Sequence, residues 1–382
     1  MILKQRANSW PMEHMTRLPH LAWLALPVLC LVAARPCVAQ TEQTYTELQG
    51  SGRSLFSIAV PPVADGGGAA QAAAEVTAVL NRDLMLWGLA KIPDPRSYPP
   101  LKPGEAGGID AAAWEQIGAQ AVISGLVRGA GGTLSASLHL HDVASGAAPV
   151  LSRTYRLGAD KARTLAHQFA DEVVRHLSGE RGVFSTRIAF AVGSRGRSNI
   201  HVVDFDGHGP RRVSRTGDLN VLPAWGPSGQ LAWTSYLWHN PDLFVAASSG
   251  GRAFRVSSQP GLNTGAAFSP DGRHIALTLS KDDNPEIYVI DRDGGNPRRL
   301  TRDDGIDVSP CWSPDGRRIA FVSDRGGSPQ IHVMEASGAG QKRVTFKGTY
   351  NQEPDWNPQP GSNLVAFSGR DEKGRHDIFT VD

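Results

Sequence analysis

The apolar positions of this chain change rhythm once. Before Gly182 they include long stretches with helical spacing; after it they alternate in short runs, as strands do. The second half also repeats itself. "AWGPSGQLAWTSY" (224–236), "AFSPDGRHIALTLS" (267–280) and "CWSPDGRRIAFVSDRGG" (311–327) are followed by a degenerate copy, "DWNPQPGSNLVAFSG" (355–369). The aromatic anchors Trp225, Phe268, Trp312 and Trp356 are spaced by 43, 44 and 44 residues. Such a period, with four short strands per unit, is the signature of a β-propeller. One unit cannot bury both faces of its sheet alone, but radial stacking buries them. In each unit a short inner strand is expected to end at the aromatic, which plugs between neighbouring blades. "SPDG" then makes a tight turn in which Pro270 or Pro314 presets φ and Gly272 or Gly316 takes φ > 0. "RRIAFVSD", "PQIHVMEA" and "QKRVTF" are the second, third and outer strands of the 311 unit.

The first half predicts an α+β domain over about 53–182. "SLFSIAVPPV" (54–63) is a strand ended by Pro61 and Pro62. A Gly-rich turn from Asp65 leads into a helix of about 18 residues. The Pro-rich 91–108 segment is loop. "IDAAAWEQIGAQ" is a short helix with Asp110 as N-cap and Gly118 at its end. "QAVISGLVRG", "TLSASLHLHDVASG" and "PVLSRTYRL" alternate as paired strands. Residues 159–179 form an amphipathic helix: Leu165, Phe169, Val173, Val174 and Leu177 share a face, and Gly179 is the cap. The propeller repeats then run over 187–382.

The N-terminus reads as a signal peptide, 1–39. Lys4, Arg6 and Arg17 precede the apolar run "LAWLALPVLCLVAA", and "CVA" places small residues before a cut between Ala39 and Gln40. The run is about 14 residues, against roughly 20 for a spanning helix. No membrane span is therefore expected after cleavage, and translation starts at Met1, Met12 or Met15. Residues 40–52 form a polar, extended leader. Cleavage leaves Cys311 alone, so the exported chain can form no internal disulfide.

With 39 basic and 37 acidic residues in 382, the charge balance carries no footprint for nucleic acid. No Gly-x-Ser-x-Gly elbow and no phosphate-binding Gly-rich loop with lysine occur, so no catalytic and no cofactor residues are assigned. "DFDGHG" and "DRDGG" open like calcium loops. Position twelve from Asp291 is Arg302, however, and both read as hairpin turns, so no metal ligand is assigned. His139 and His141 share one strand face, read as exposed. Cys311, beside Trp312, reads as an inert small residue. Five residues before each aromatic stands a polar group: Asn220, Asn263, Asp307 and Asn351. These either ring one mouth of the tunnel and contact a partner, or cap the turns leading into the inner strands.

The junction "DEVVRHLSGERGVFSTRIAFA" (171–191), together with "AAAWEQIGAQAVISGLV" (111–127) and the four repeats, resembles the TolB family of the Tol–Pal system. The resemblance spans about 55–382 and implies a non-enzymatic periplasmic adaptor. It implies that the propeller mouth binds the lipoprotein Pal and that the N-terminal leader meets the inner-membrane protein TolA. Other outer-membrane proteins are candidate partners. Outer-membrane integrity and constriction at division are the implied role. By position, the Pal-facing mouth would hold Asn220, Asn263, Thr264, Asp307, Asn351, Gln352 and Glu353. Propellers of this family have six blades. At this repeat length about 4.5 are present, as in a C-terminally truncated chain. The alternative is a ligand- or peptide-binding propeller related to those of peptidases or lyases, without the catalytic part.

Overall fold

The computed structural model describes residues 55–100, 108–194, 196–214, 218–371 and 374–382. The expected signal peptide, its Ala39–Gln40 cut and the 40–52 leader lie outside the described residues. No helix among the described residues is long and apolar enough to cross a membrane.

The N-terminal α/β part contains β1 (Phe56–Ala59), β2 (Ala64–Asp65), α1 (Ala70–Trp87), β3 (Ala90–Lys91) and α2 (Ala111–Gln116). It continues with β4 (Ala121–Ala130), β5 (Thr133–Asp142), β6 (Pro149–Gly158) and α3 (Ala162–Ser178). The sheet order is β3-β1-β4-β5-β6, with β2 also on β4. β1 runs parallel to β3 and β4, while β4, β5 and β6 are antiparallel hairpin partners. The Gly-rich turn starts α1 through Asp65, whose Oδ1 accepts from the Gly67 and Ala69 N–H groups at 2.8 and 3.0 Å. Asp110 caps α2 through the Ala113 N–H, as its position predicts. Gly179 ends α3 at φ 75°, its N–H on the Arg175 carbonyl. The apolar stripe of α3 (Leu165, Phe169, Val173, Val174) is buried with Val76, Leu80 and Leu84 of α1 against Ile123, Leu138 and Leu140 of the sheet. Each such side chain contributes about 1.5–3 kcal/mol by leaving water.

The reading of His141 as exposed is corrected. It is fully buried, bonded to Ser124 Oγ at 2.9 Å and the Ala147 carbonyl at 3.1 Å. The reason is a second small core, Ala59, Ile109, Trp114, Ala119, Val122 and Val143, in which residues from α2 and the turn after β5 cover the sheet's other face. His139, two residues earlier in the strand, stays half-buried.

The second part is a β-propeller of five sheets. The first is β7 (Arg187–Ser194), β8 (Arg197–Asp204) and β9 (Arg211–Arg212). The second is β10 (Asn220–Trp225), β11 (Gln230–Trp238), β12 (Asn240–Ala247) and β13 (Phe254–Ser257). The third is β14 (Asn263–Phe268), β15 (His274–Leu279), β16 (Glu286–Asp291) and β17 (Arg298–Arg299). The fourth is β18 (Asp307–Trp312), β19 (Arg318–Ser323), β20 (Gln330–Glu335) and β21 (Lys342–Arg343). The fifth is β22 (Tyr350–Trp356), β23 (Val365–Arg370) and β24 (His376–Val381). The inner strands β10, β14, β18 and β22 pack one on the next. The aromatic anchors bridge blades as expected: Trp312 Nε1 donates to the Ala267 carbonyl of the preceding inner strand at 3.2 Å. Gly272 and Gly316 sit at φ 68° and 69° in their tight turns.

Each inner strand also carries a feature that alternation did not predict. Its register slips just after the residue that follows the polar head Asn220, Asn263, Asp307 or Asn351, at Val221/Ala224, Thr264/Ala267, Val308/Cys311 and Gln352/Asp355. The second residue after each polar head is left-handed: Leu222 (φ 54°), Gly265 (62°), Ser309 (54°) and Glu353 (52°). These are β-bulges, and in three of them a side chain bears a conformation that only glycine adopts freely. Leu222→Gly is therefore expected to raise stability by about 1 kcal/mol, seen as a higher unfolding temperature. An unchanged or lower temperature would show that the leucine is not strained.

Candidate functional site

The polar row that heads the inner strands is held by local bonds. Asn220 Nδ2 donates to the Ser198 and Asp218 carbonyls at 2.8 and 2.9 Å, and its Oδ1 accepts from Trp233 Nε1 at 3.0 Å. Asn263 Oδ1 accepts from Ser257 Oγ at 2.6 Å and the Gln259 N–H at 2.9 Å. Its amide returns bonds to the Gln259 and Gly261 carbonyls at 2.7 and 3.1 Å. Asp307 accepts from Arg325 Nη2 at 2.7 Å. Burial raises the Asp307 carboxyl's pKa, against the opposing pull of Ser323 and Arg325. Asn351 Nδ2 reaches Gln330 Oε1 and the Lys347 carbonyl, both at 2.9 Å. All four residues are 0–2 % exposed.

The four side chains of this row are enclosed, and their bonds are made within the chain. Asn220, Asn263 and Asn351 pin the start of an inner strand to the chain just before it and to the preceding blade, whereas Asp307 is bonded to Arg325, after β19 of its own blade. The matching residue at the end of the outer strand completes the pin. Ser214, Thr301 and Thr345 hydroxyls accept from the Ile200, Ile287 and Ile331 N–H groups, each at 2.9 Å. Of the remaining predicted residues, Thr264 and Gln352 are half-buried and Glu353 is exposed.

The bulges form the surface beside the pinned row. Leu222 is 50 % exposed, and Ser309 and Gly265 are half-buried. A Cβ built on Gly265 would stand 3.6 Å from Ser309 Cα, so neighbouring bulges touch. Together with Thr264, Gln352 and Glu353 they make a line along the inner strands in which Leu222, Ser309 and Glu353 carry strained, left-handed backbone. Strain of this kind persists only where the surrounding structure imposes it, and it clusters at ligand-contacting sites. The sequence held a signal for it: Pro223, Pro310 and Pro354 follow three of the four bulged residues. A proline cannot donate to a ladder, so within a strand it marks an edge or a bulge.

Cys311 lies behind this surface. Its Sγ accepts from the Trp356 N–H at 3.3 Å, and burial pushes the thiol up to about 12. That fits the reading of an inert side chain. His332 is buried against the Phe321 ring, 5.6 Å between centroids.

A second cluster was missed entirely from sequence. Asp83 of α1, His167 of α3 and Asp206, in the turn after β8, each offer a ligand-type atom within 4.8 Å of the other two, and all three are buried. His167 Nδ1 donates to Asp83 Oδ2 at 2.7 Å, since a carboxylate can only accept. Arg163 Nη2 donates to Asp206 Oδ2. Two carboxylates thus meet two basic side chains, and a divalent ion would have to displace Arg163.

Two family profiles match the chain: the TolB beta propeller domain over residues 174–382 and the TolB amino-terminal domain over residues 45–148. The Tol-Pal system protein TolB of Anaeromyxobacter dehalogenans is 40% identical over 261 residues, covering 68% of this chain and 59% of that relative. The protein of the same name from Legionella pneumophila is 35% identical over 210 residues, covering 54% of this chain and 49% of its own. The chain thus spans well under two thirds of the length of these relatives. The crystal structure of TolB from Acinetobacter baumannii superimposes with a TM-score of 0.75 at 28% identity, covering 86% of this chain and 80% of that one.

Proposed function

The chain belongs to the TolB family, and we propose on that premise that it is a non-enzymatic periplasmic adaptor of a Tol–Pal system. In this reading it links the lipoprotein Pal to the inner-membrane Tol proteins, TolA among them, and so supports outer-membrane integrity during constriction. The observation that carries the reading is the line of bulges. It presents exposed Leu222 and Glu353, with Thr264 and Gln352 between inner strands, on backbone that the pinned row behind it holds rigid. A rigid surface binds at low cost in conformational entropy, which suits a contact with a folded partner. The TolA contact is assigned to the 40–52 leader by the family resemblance.

The test is capture of the periplasmic domain of the Pal encoded in the same genome. The folded chain is expected to retain it. Glu353→Lys and Leu222→Asp are each expected to weaken capture about tenfold or more, at an unchanged unfolding temperature. No capture by folded wild-type protein would sink the adaptor reading, and equal capture by both variants would move the contact elsewhere.

A further inference from the structure

The Asp83–His167–Asp206 cluster sits where the N-terminal α/β part meets the first blade. Helix α1 supplies Asp83 and Arg82. Helix α3 supplies Arg163, His167 and Asp171. The blade supplies Asp206, whose carboxylate also accepts from the His208 N–H at 3.1 Å. Arg82 Nε adds a bond to the Asp206 carbonyl at 3.0 Å. One turn further along α3, Asp171 accepts from the Phe184 and Ser185 N–H groups at 2.7 and 3.1 Å. This holds the connector, and Phe184 packs edge-on against Phe205. The blade is thus fastened at two points: a connector bonded to uncharged N–H groups, and a turn fastened through buried charge.

Charge decides the strength of the second point. With a proton on His167, the two carboxylates face two cations and the cluster is balanced. Without it, the Arg163 guanidinium is the one cation among the described residues bonded to either carboxylate, with Arg82 held on the Asp206 carbonyl, and Asp83 and Asp206 face each other away from water, where like charges repel strongly. Three polar atoms of the cluster, Asp83 Oδ1, His167 Nε2 and Arg163 Nε, are buried with no hydrogen-bond partner among the described residues, so neither charge state is fully satisfied. Asp206 is the one carboxylate of the three acidic groups that belongs to the propeller, so moving the turn away relieves the repulsion while Asp171 keeps the connector.

We propose that this cluster is a proton-controlled joint: the proton shared by Asp83 and His167 keeps the first blade docked on α1 and α3, and its loss in alkaline medium lets the blade swing about the connector. The expected direction follows from linkage. Burial disfavours the His167 imidazolium, but the bond and charge of Asp83 outweigh it and raise its pKa above the ordinary 6.5. Burial likewise raises Asp83 above 3.8, against the opposing pull of His167. Both groups hold protons more tightly when docked. The His167 contribution to docking is therefore complete below pH 6.5 and is lost as pH rises through its raised value, while that of Asp83 is complete below 3.8 and is lost as pH rises through its own raised value. Asp206 acts at the other end. Burial would raise it, but Arg163 holds it below 3.8, so its share of docking is lost only in strong acid. Docking is tightest in the mildly acidic range between.

The test is energy transfer between pH-insensitive dyes at Glu115→Cys and Lys342→Cys, one exposed site in each part, in the full chain with Cys30, Cys37 and Cys311 replaced by serine. Transfer is expected to change between about pH 5.5 and pH 9.5 with a midpoint above 6.5. Asp83→Asn removes one anion and is expected to hold the docked value throughout. His167→Gln lacks the proton at every pH and is expected to hold the alkaline value throughout. A merely structural role would instead weaken the joint in both variants alike. A flat wild-type profile, or an unshifted midpoint in folded His167→Gln, overturns the proposal. Should either variant fail to fold, the wild-type profile alone still decides.

Discussion

Asn263→Ala is expected to lower stability by about 3 kcal/mol and to leave capture of Pal per folded molecule unchanged. The side chain is fully buried and makes four bonds, to Ser257 Oγ, the Gln259 N–H, and the Gln259 and Gly261 carbonyls. Truncation strands two donors and two acceptors in a place water does not reach, each costing roughly 1 kcal/mol or more, and leaves a small cavity. The turn at 257–263 would lose the contacts that set where β14 begins. Glu353→Lys should do the reverse. Glu353 is exposed, so its replacement is expected to move stability by no more than about 0.5 kcal/mol while weakening capture. Urea unfolding midpoints and titration calorimetry with Pal, run on both variants, check the pair. Lost capture in Asn263→Ala at unchanged stability would return the polar row to the surface as a contact.

The two readings of that row were both open in the sequence for a physical reason. Asparagine and aspartate are the residues that cap turns and also the residues that greet a partner, and spacing alone puts them at the head of a strand. What separates the roles is whether the bonds are made within the chain, and those partners are side chains and carbonyls whose positions need the fold. The period itself was legible because each blade repeats one packing problem; Trp312 reaching back to the Ala267 carbonyl is the contact that spacing anticipated. The helices α1 and α3 were legible from their stripes, and α2 from Asp110. The bulges were not read, although the prolines inside the inner strands marked them. His141 was misread because a single strand's alternation says which residues share a face, not whether another element covers it. The joint was invisible for a different reason. Asp83 and His167 are 84 residues apart and Arg163 and Asp206 are 43 apart, with no motif at either separation. Only the docking of a propeller turn on two helices brings them together.

Gly294→Ala is expected to cost about 3 kcal/mol or more, although the substitution adds one methyl group in an exposed hairpin turn. Gly207, Gly250, Gly294 and Gly338 occupy the same place in successive blades, at φ 85°, 88°, 97° and 95°. Any side chain pays for that conformation, by roughly 1 kcal/mol. The surroundings differ. A Cβ at Gly207 or Gly250 meets nothing within 4 Å. At Gly338 it stands 2.8 Å from the Leu300 carbonyl oxygen, and at Gly294 it stands 2.1 Å from that of Val256. Both oxygens belong to the outer-strand region of the preceding blade, and backbone held in a sheet cannot step aside as a flexible side chain can. The alanine series should therefore rank Gly294 above Gly338, with Gly207 and Gly250 least and alike, in urea unfolding midpoints. Equal losses at all four would mean that the left-handed conformation alone sets the cost. The expected ranking would show that blades stack through the turn of one against the outer strand of the last. Glycine at this position would then serve the approach of two backbones, which a turn signal read from sequence cannot distinguish from a simple reversal of the chain.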